Sequence, residues 1–490
     1  MTTLRFPREQ LGFALAALAL AAVTGILAAT VPAAAPAPVV LLLAAVAATS
    51  IPGARVETFR GGTAGLLLLA ILNGIPGVDL AGRTVPGGVR LQDGAVALLV
   101  LFLVVWREQD RASPPASPLR QWLTLWCVLF GAWWVLTMVR TVVFVGDPLL
   151  QSALLGRDFL YFAVLFPVLL RTRLTPRVTH AFLVVVASGL CVFALAEIVT
   201  ALRLTNLSFL THSNIEIATG GVVRVYASMN ELVTVGLCLS LGVVLLARDG
   251  ALRRRAALLL LLFVLAFLLQ LTRANYVGIF VAGAGVIAWW MVFAPATWRG
   301  RLRRRAAAAA VGGAVVLGAA LVLVPGTADN PAVGAVATRV QTGIVNVNES
   351  SGNVGYRKDV YHTMLGVLGG DWPVGLGFLH PATHYFADLP SGSIRNSDVG
   401  LLNVLMTTGL VGSLLLFLVP VLVLVKSFEK ARRVGPSATL AAVVVFGLSV
   451  WVLATLLTSI TLITLFSVNG LVLTSFVLRG AVAAVEDELG

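Results

Sequence analysis

Apolar runs long enough to cross a bilayer fill most of the 490 residues, and a polar stretch over 326–396 is the longest interruption. A helical span needs about 20 mostly apolar residues, because inside hydrocarbon every backbone N–H and C=O must be satisfied within the segment. Fourteen runs are candidates: 11–30, 37–51, 62–77, 93–106, 121–140, 156–170, 179–200, 228–247, 256–272, 275–294, 306–325, 398–425, 437–457 and 461–479. The third and fourth are short. The runs are continuous and rich in Leu, Val and Ala, whereas a β-barrel shows short alternating segments. Only 12 % of the residues are charged, against about a quarter in soluble proteins. The expected fold is therefore all-α: an integral membrane protein with about 12–14 transmembrane helices and a large outer loop containing an amphipathic helix.

Loop charges orient the bundle, because basic residues are retained on the cytoplasmic side. With the N-terminus in the cytoplasm, that side holds 24 of the 35 basic residues, among them Arg253–Arg255, Arg303–Arg305, Arg432 and Arg433. The net charge of +13 then reads as a topology signal, and nucleic acid is not an expected partner. The stretch 326–396 falls on the outer side. The organisation expected is helices 1–11 over 1–325, an extracytoplasmic loop over 326–396, and helices 12–14 with a short cytoplasmic tail over 397–490. The run at 11–30 exceeds the h-region of a secretory signal and reads as an uncleaved first span. Cys127, Cys191 and Cys238 lie inside spans and read as packing residues.

Within the long loop, "NVGYRKDVYHTMLGVLGG" (353–370) places Val360, Met364, Leu365 and Leu368 at helical spacing, with Asn353 as N-cap and Gly369–Gly370 as stop. An irregular segment dipping toward the headgroups is expected after it. Ionisable residues at membrane depth are costly and usually purposeful. In this topology nearly all of them stand at the outer ends: Arg157 and Asp158, Glu197, Arg224, Glu231, Arg273, Arg357, Arg395 and Asp398. Arg157 beside Asp158 also fits a local ion pair. A set of arginines at one depth suits a diphosphate on a long lipid, since the guanidinium fork matches phosphate oxygens and stays protonated. His380 and His384 in "HPATH" have zinc-like spacing, but Pro381 argues against the helix that spacing needs. His384 is instead a candidate general base. No cofactor and no metal site are expected.

Four stretches, in order, resemble the bacterial O-antigen ligase/polymerase family of membrane glycosyltransferases: "GGVVRVYASMNELVTVGLCL", "LQLTRANYVGIFVAGAGV", "YRKDVYHTMLGVLGGDWPVGLGF" and "IRNSDVGLLNVLMTTGLVGSLLLFL". They cover roughly 215–425 and are degenerate singly. The resemblance implies a metal-independent glycosyltransferase on the outer face of the bacterial cytoplasmic membrane, with both termini cytoplasmic. Its donor would be a polyprenyl-diphosphate-linked glycan. A second such glycan would be the acceptor, membrane lipid would surround the site, and a chain-length regulator protein is a further partner. By motif match the resemblance implies that Arg224, Arg273 and Arg357 contact the diphosphate or donor glycan. The residues read as catalytic are Arg273, Arg357 and Arg395, with Asp398, His384 or Glu231 as base; Arg157, Arg224, Asn396 and Tyr356 are read as substrate-binding. Where the ligases of the family carry a His before the Asn, this chain carries Arg395 before Asn396, which tilts the reading toward the polymerase branch. A ligase acting on a terminal lipid or protein acceptor, and a lipid-linked oligosaccharide flippase, are the alternatives.

Overall fold

The computed structural model of the chain describes residues 55–73, 80, 84, 88–109, 117–202, 204–205, 207, 214–217, 223–226, 229–270, 273–307, 352–380, 383–389, 400–435, 437–459, 468–486 and 488. The chain is an all-α membrane protein, with one small hairpin among the described residues. Its helices are α1 (Arg55–Ile71), α2 (Leu91–Gln109), α3 (Pro118–Val139), α4 (Leu149–Arg171), α5 (Pro176–Ala201), α6 (Asn230–Leu246), α7 (Gly250–Leu269), α8 (Arg273–Phe293), α9 (Gly352–Leu368), α10 (Gly400–Ala431), α11 (Thr439–Thr458) and α12 (Val468–Val485). A π-helical turn, Arg140–Val145, extends α3. Among the described residues six helices are long and apolar enough to cross a membrane: α3 with its π turn, α4, α5, α8, α10 and α11; α6 and α12 are shorter apolar helices. The expected spans at 11–30 and 37–51, and all but the first two residues of 306–325, lie outside the described residues.

The helix starts follow local chemistry. Ser117 accepts from Arg120 N–H at 3.2 Å and Thr175 from Val178 N–H at 3.3 Å. Each precedes a proline, whose missing N–H costs nothing in the first turn. α1 packs on α5, α6 on α7 and α11, α8 on α11, α3 on α4 and α10, and α4 on α12. Cys127 and Cys238 are buried thiols within this core. Strands β1 (Asn214–Ile217) and β2 (Val223–Tyr226) form an antiparallel hairpin between α5 and α6. Their alternating Ile and Val residues carry a period-2 pattern within the otherwise polar loop.

Charges divide the bundle into two ends. The end where α6 finishes and α7 starts carries Arg248 and Arg253–Arg255; a short helix over 296–307 brings Arg299, Arg301 and Arg303–Arg305 there. Trp298 Nε1 of that helix donates to Val434 O just past α10, at 3.0 Å. The opposite end carries the starts of α6, α8, α10 and α12 and the finishes of α5 and α11.

α10 is broken. Gly409 has φ 69° and ψ −174°, a conformation that costs any residue with a Cβ. The freed backbone groups are satisfied by the segment after α9. Met406 O accepts from Leu376 N–H at 2.6 Å, and Thr407 O from Gly377 N–H at 3.1 Å. Leu410 and Val411 N–H donate to the carbonyls of Trp372 and Pro373 at 2.9 and 3.2 Å. Thr408 O takes Trp133 Nε1 at 2.8 Å. Irregular backbone at membrane depth survives only when protein satisfies it in this way. The two chains approach so closely that a Cβ on Gly375 would stand 2.5 Å from Gly409 N.

α9 matches the helix expected in the long loop, with one difference on its apolar face. Val360, Met364 and Leu368 are buried together with Leu379, Leu402 and Met406. Leu365 is exposed, because one residue on from Met364 is 100° around the helix.

Candidate functional site

The segment after α9, described over 371–380 and 383–389, is held by the π turn at the end of α3. Arg140 Nη2 lies 2.6 Å from Asp371 Oδ1, and its Nη1 donates to Gly375 O. Thr141 Oγ1 accepts from Phe378 N–H at 3.0 Å. Phe378 then packs beside Trp134 and Phe159. Asp147, buried just beyond the turn, accepts from His380 N–H through Oδ2 at 3.1 Å. Its Oδ1 lies 3.0 Å from Nε2 of His384, whose side chain is one-third exposed. A π turn rotates the side chains that follow it relative to a regular helix, and here Arg140, Thr141 and Asp147 all serve one loop. The result is an imidazole within ion-pair distance of a buried carboxylate, though Asp147 Oδ1 makes no hydrogen bond of good geometry among the described residues.

A second constellation lies between α6, α8, α11 and α12, at the end away from the arginine clusters. A small, partly open polar cleft is lined by Glu231, Thr234, Asn275, Trp451, Thr455, Thr458 and Thr474, with apolar Ile279 and Ala454 beside them. Glu231 and Thr234 come from the start of α6, Asn275 from the first turn of α8, and Gly470 and Thr474 from the start of α12. Three helix N-termini therefore converge on one polar space, each bringing the positive end of its dipole, and the finish of α11 closes it through Thr455 and Thr458. α10 begins beside it: Leu401 N–H donates to Ser459 O, next to Thr458, at 2.7 Å.

The residues singled out from the sequence fall into separate groups. Glu231 lines the pocket, and Arg273 opens α8 two residues before Asn275. Arg224 lies on β2 opposite Glu216 in the hairpin register. Arg157 joins a different network: its Nη1 is 3.0 Å from Asp93 Oδ2, its Nε 3.7 Å from Asp158 Oδ1, and Tyr161 donates to Asp93 at 2.8 Å. The ion-pair reading of Arg157 and Asp158 thus holds, with Asp93 of α2 as the closer partner. On α9, Arg357 is half-buried and Tyr356 exposed. Burial raises the nearby Tyr361 phenol above its ordinary value, and the Arg357 guanidinium pulls the other way. Arg395, Asn396 and Asp398 lie outside the described residues.

Sequence reasoning missed Asp147, Arg140, Asp371 and Asn275. Arg140 and Asp147 flank an apolar run in a charge-poor chain, which is a usable signal; Asn275 carries none beyond its place beside Arg273. Glu197 of α5 is fully buried, and neither of its carboxylate oxygens has a hydrogen-bond partner among the described residues. No three His, Cys, Asp or Glu side chains among the described residues gather as metal ligands would. No protein-family model matches the chain, and no curated protein matches it.

Proposed function

We propose that the chain is a glycan polymerase of the bacterial cytoplasmic membrane. It transfers a polyprenyl-diphosphate-linked glycan to the sugar end of a second lipid-linked glycan on the outer face. The observation that carries this reading is the convergence of three helix N-termini on a polar pocket that also holds Glu231. Helix N-termini favour phosphate oxygens, and Arg273 at the start of α8 supplies a cation that stays charged when desolvated. The positive-inside rule puts the arginine clusters and both termini in the cytoplasm, which places the pocket at the outer headgroup level.

In this reading the acceptor hydroxyl oxygen bonds to the donor's anomeric carbon. The bond from that carbon to the diphosphate oxygen breaks, and the electron pair leaves with the lipid diphosphate. Arg273 and the helix ends stabilise the charge that develops there. Glu231 takes the hydroxyl proton. α9 and the segment Asp371–His380, tied to α10 and to the π turn after α3, stand beside the helix ends through which the glycans would enter.

Vesicles containing the full chain and a labelled lipid-linked oligosaccharide test the reaction class. The expected result is longer lipid-linked glycans. Transfer to a terminal lipid or protein acceptor without lengthening makes the protein a ligase. Movement of the label across the bilayer with no new glycosidic bond makes it a flippase.

A further inference from the structure

At the end of the bundle away from the pocket, five arginines from three segments meet. Arg248 and Arg253 flank the start of α7, and Arg301, Arg304 and Arg305 come from the helix over 296–307. Arg301 and Arg305 tie that helix to the finish of α6. Arg301 donates to Leu246 O at 3.0 Å, and Arg305 to Leu245 O and Ala247 O at 3.1 and 2.6 Å. Five guanidiniums repel one another unless something offsets them. Among the described residues none of the five is ion-paired to a carboxylate. Asp249, the neighbouring acid, is occupied at the helix start, where Oδ1 accepts from Ala251 N–H at 2.8 Å. The Arg305 guanidinium is pushed down to about 10 by burial and by Arg253, Arg301 and Arg304, and Arg301 is lowered by burial, Arg248 and Arg253. Asp249 sets one negative charge against five positive ones, and Arg301 also lies 4.7 Å from the Trp298 ring centroid, so the cluster keeps a net positive charge.

The surface beside it is shaped for a chain. Exposed Arg254 heads a stripe on α7 in which Leu258, Leu261, Leu265 and Leu268 are all exposed. These positions alternate by four and three, so they share one helix face. At 1.5 Å per residue, Leu258 to Leu268 spans about 15 Å, one leaflet of a roughly 30 Å hydrocarbon core. We infer that the cluster of Arg248, Arg253, Arg301, Arg304 and Arg305 binds the phosphate headgroup of an anionic phospholipid whose acyl chain lies along the leucine stripe of α7. A free phosphate would share the cluster but not the stripe. This site is separate from the pocket of the proposed reaction.

The test measures binding of cardiolipin, phosphatidylcholine and inorganic phosphate to the full chain in detergent by native mass spectrometry. Arg253→Gln/Arg304→Gln is compared with wild type. Arg301 and Arg305 stay intact because they hold the end of α6. Wild type is expected to retain cardiolipin over phosphatidylcholine. The double variant is expected to bind cardiolipin about thirtyfold more weakly, since each basic residue at an anionic surface contributes roughly a fivefold factor. If the double variant does not fold, Arg304→Gln alone serves, because Arg304 is exposed and its Nε donates within its own helix, to Gly300 O one turn back. Equal binding of the two lipids, or unchanged cardiolipin affinity in the variant, overturns the inference. So does inorganic phosphate that displaces cardiolipin at equal concentration.

Discussion

Nε2 of His384 lies 3.0 Å from Oδ1 of Asp147, and the other oxygen of that carboxylate accepts the backbone N–H of His380. One buried side chain just past a π turn thus holds the start of the "HPATH" segment by a hydrogen bond and lies within ion-pair distance of its second imidazole. The loop after α9 is fixed at three levels, by α10 at its Gly-rich part, by Arg140 and Thr141 in its middle, and by Asp147 at its far end.

Asp147→Ala leaves the His380 N–H without its acceptor. The N–H is part-buried, so losing its hydrogen bond costs about 1 kcal/mol, and the thermal unfolding midpoint in detergent should fall measurably. Asp147→Asn keeps an acceptor for that N–H and should recover part of the loss. Equal midpoints for wild type and Asp147→Ala would show that the contact contributes nothing.

Gly409→Ala should be among the most damaging single changes. It forces a Cβ into an unfavourable backbone region, worth about 1–3 kcal/mol by itself, and drives that Cβ into the Pro373 carbonyl and Val374. Gly283→Ala is the matched control, because nothing lies within 4 Å of the added Cβ. Its stability should equal or slightly exceed that of wild type, since Ala is the better helix former. Thermal unfolding of the two variants side by side decides the point.

Arg479 of α12 is almost fully buried and reaches across to α4. Its Nε donates to Leu169 O at 2.9 Å, and Nη2 to Thr172 O at 2.8 Å and Glu488 Oε2 at 2.6 Å. Arg479→Met removes both carbonyl contacts and one of the two partners of Glu488, which keeps Arg120. Leaving the buried carbonyls unpaired costs about 1–3 kcal/mol. The expected readout is earlier proteolysis of the C-terminal residues; digestion as slow as in wild type would contradict it.

Asn275→Ala removes one polar group from the pocket without touching the helix contacts. Losing a single hydrogen bond of about 1 kcal/mol weakens donor binding about fivefold, with the unfolding midpoint unchanged. An unaltered donor KM would place the donor elsewhere.

Much of the helical frame is legible in the sequence. The described spans from α3 onward fall where hydropathy puts them, and the helix expected over 353–370 appears as α9, Gly352–Leu368. The break in α10 is not legible, because 398–425 reads as one unbroken apolar run. Gly409 is a weak local signal in it, and the break exists only because Trp372–Gly377 supplies the missing hydrogen bonds. The pairing of Arg157 with Asp158 is written in adjacent residues, while its closer partner Asp93 lies on α2, beyond any local pattern. The pocket is similar. Glu231 stands out as a charge beside a span, but Asn275, Thr458 and Thr474 are ordinary residues that only packing brings together.

The central claim meets its most direct test in the elongation of a purified polyprenyl-diphosphate-linked oligosaccharide by the full chain in excess EDTA, with Arg273→Ala and Glu231→Gln in parallel. Wild type should produce a ladder of longer lipid-linked glycans. Arg273→Ala should abolish it, and Glu231→Gln should slow it by about 10²-fold or more, as loss of a general base does. A ladder undiminished in both variants would contradict the placement of the site, and no ladder from folded wild-type protein would contradict the polymerase itself.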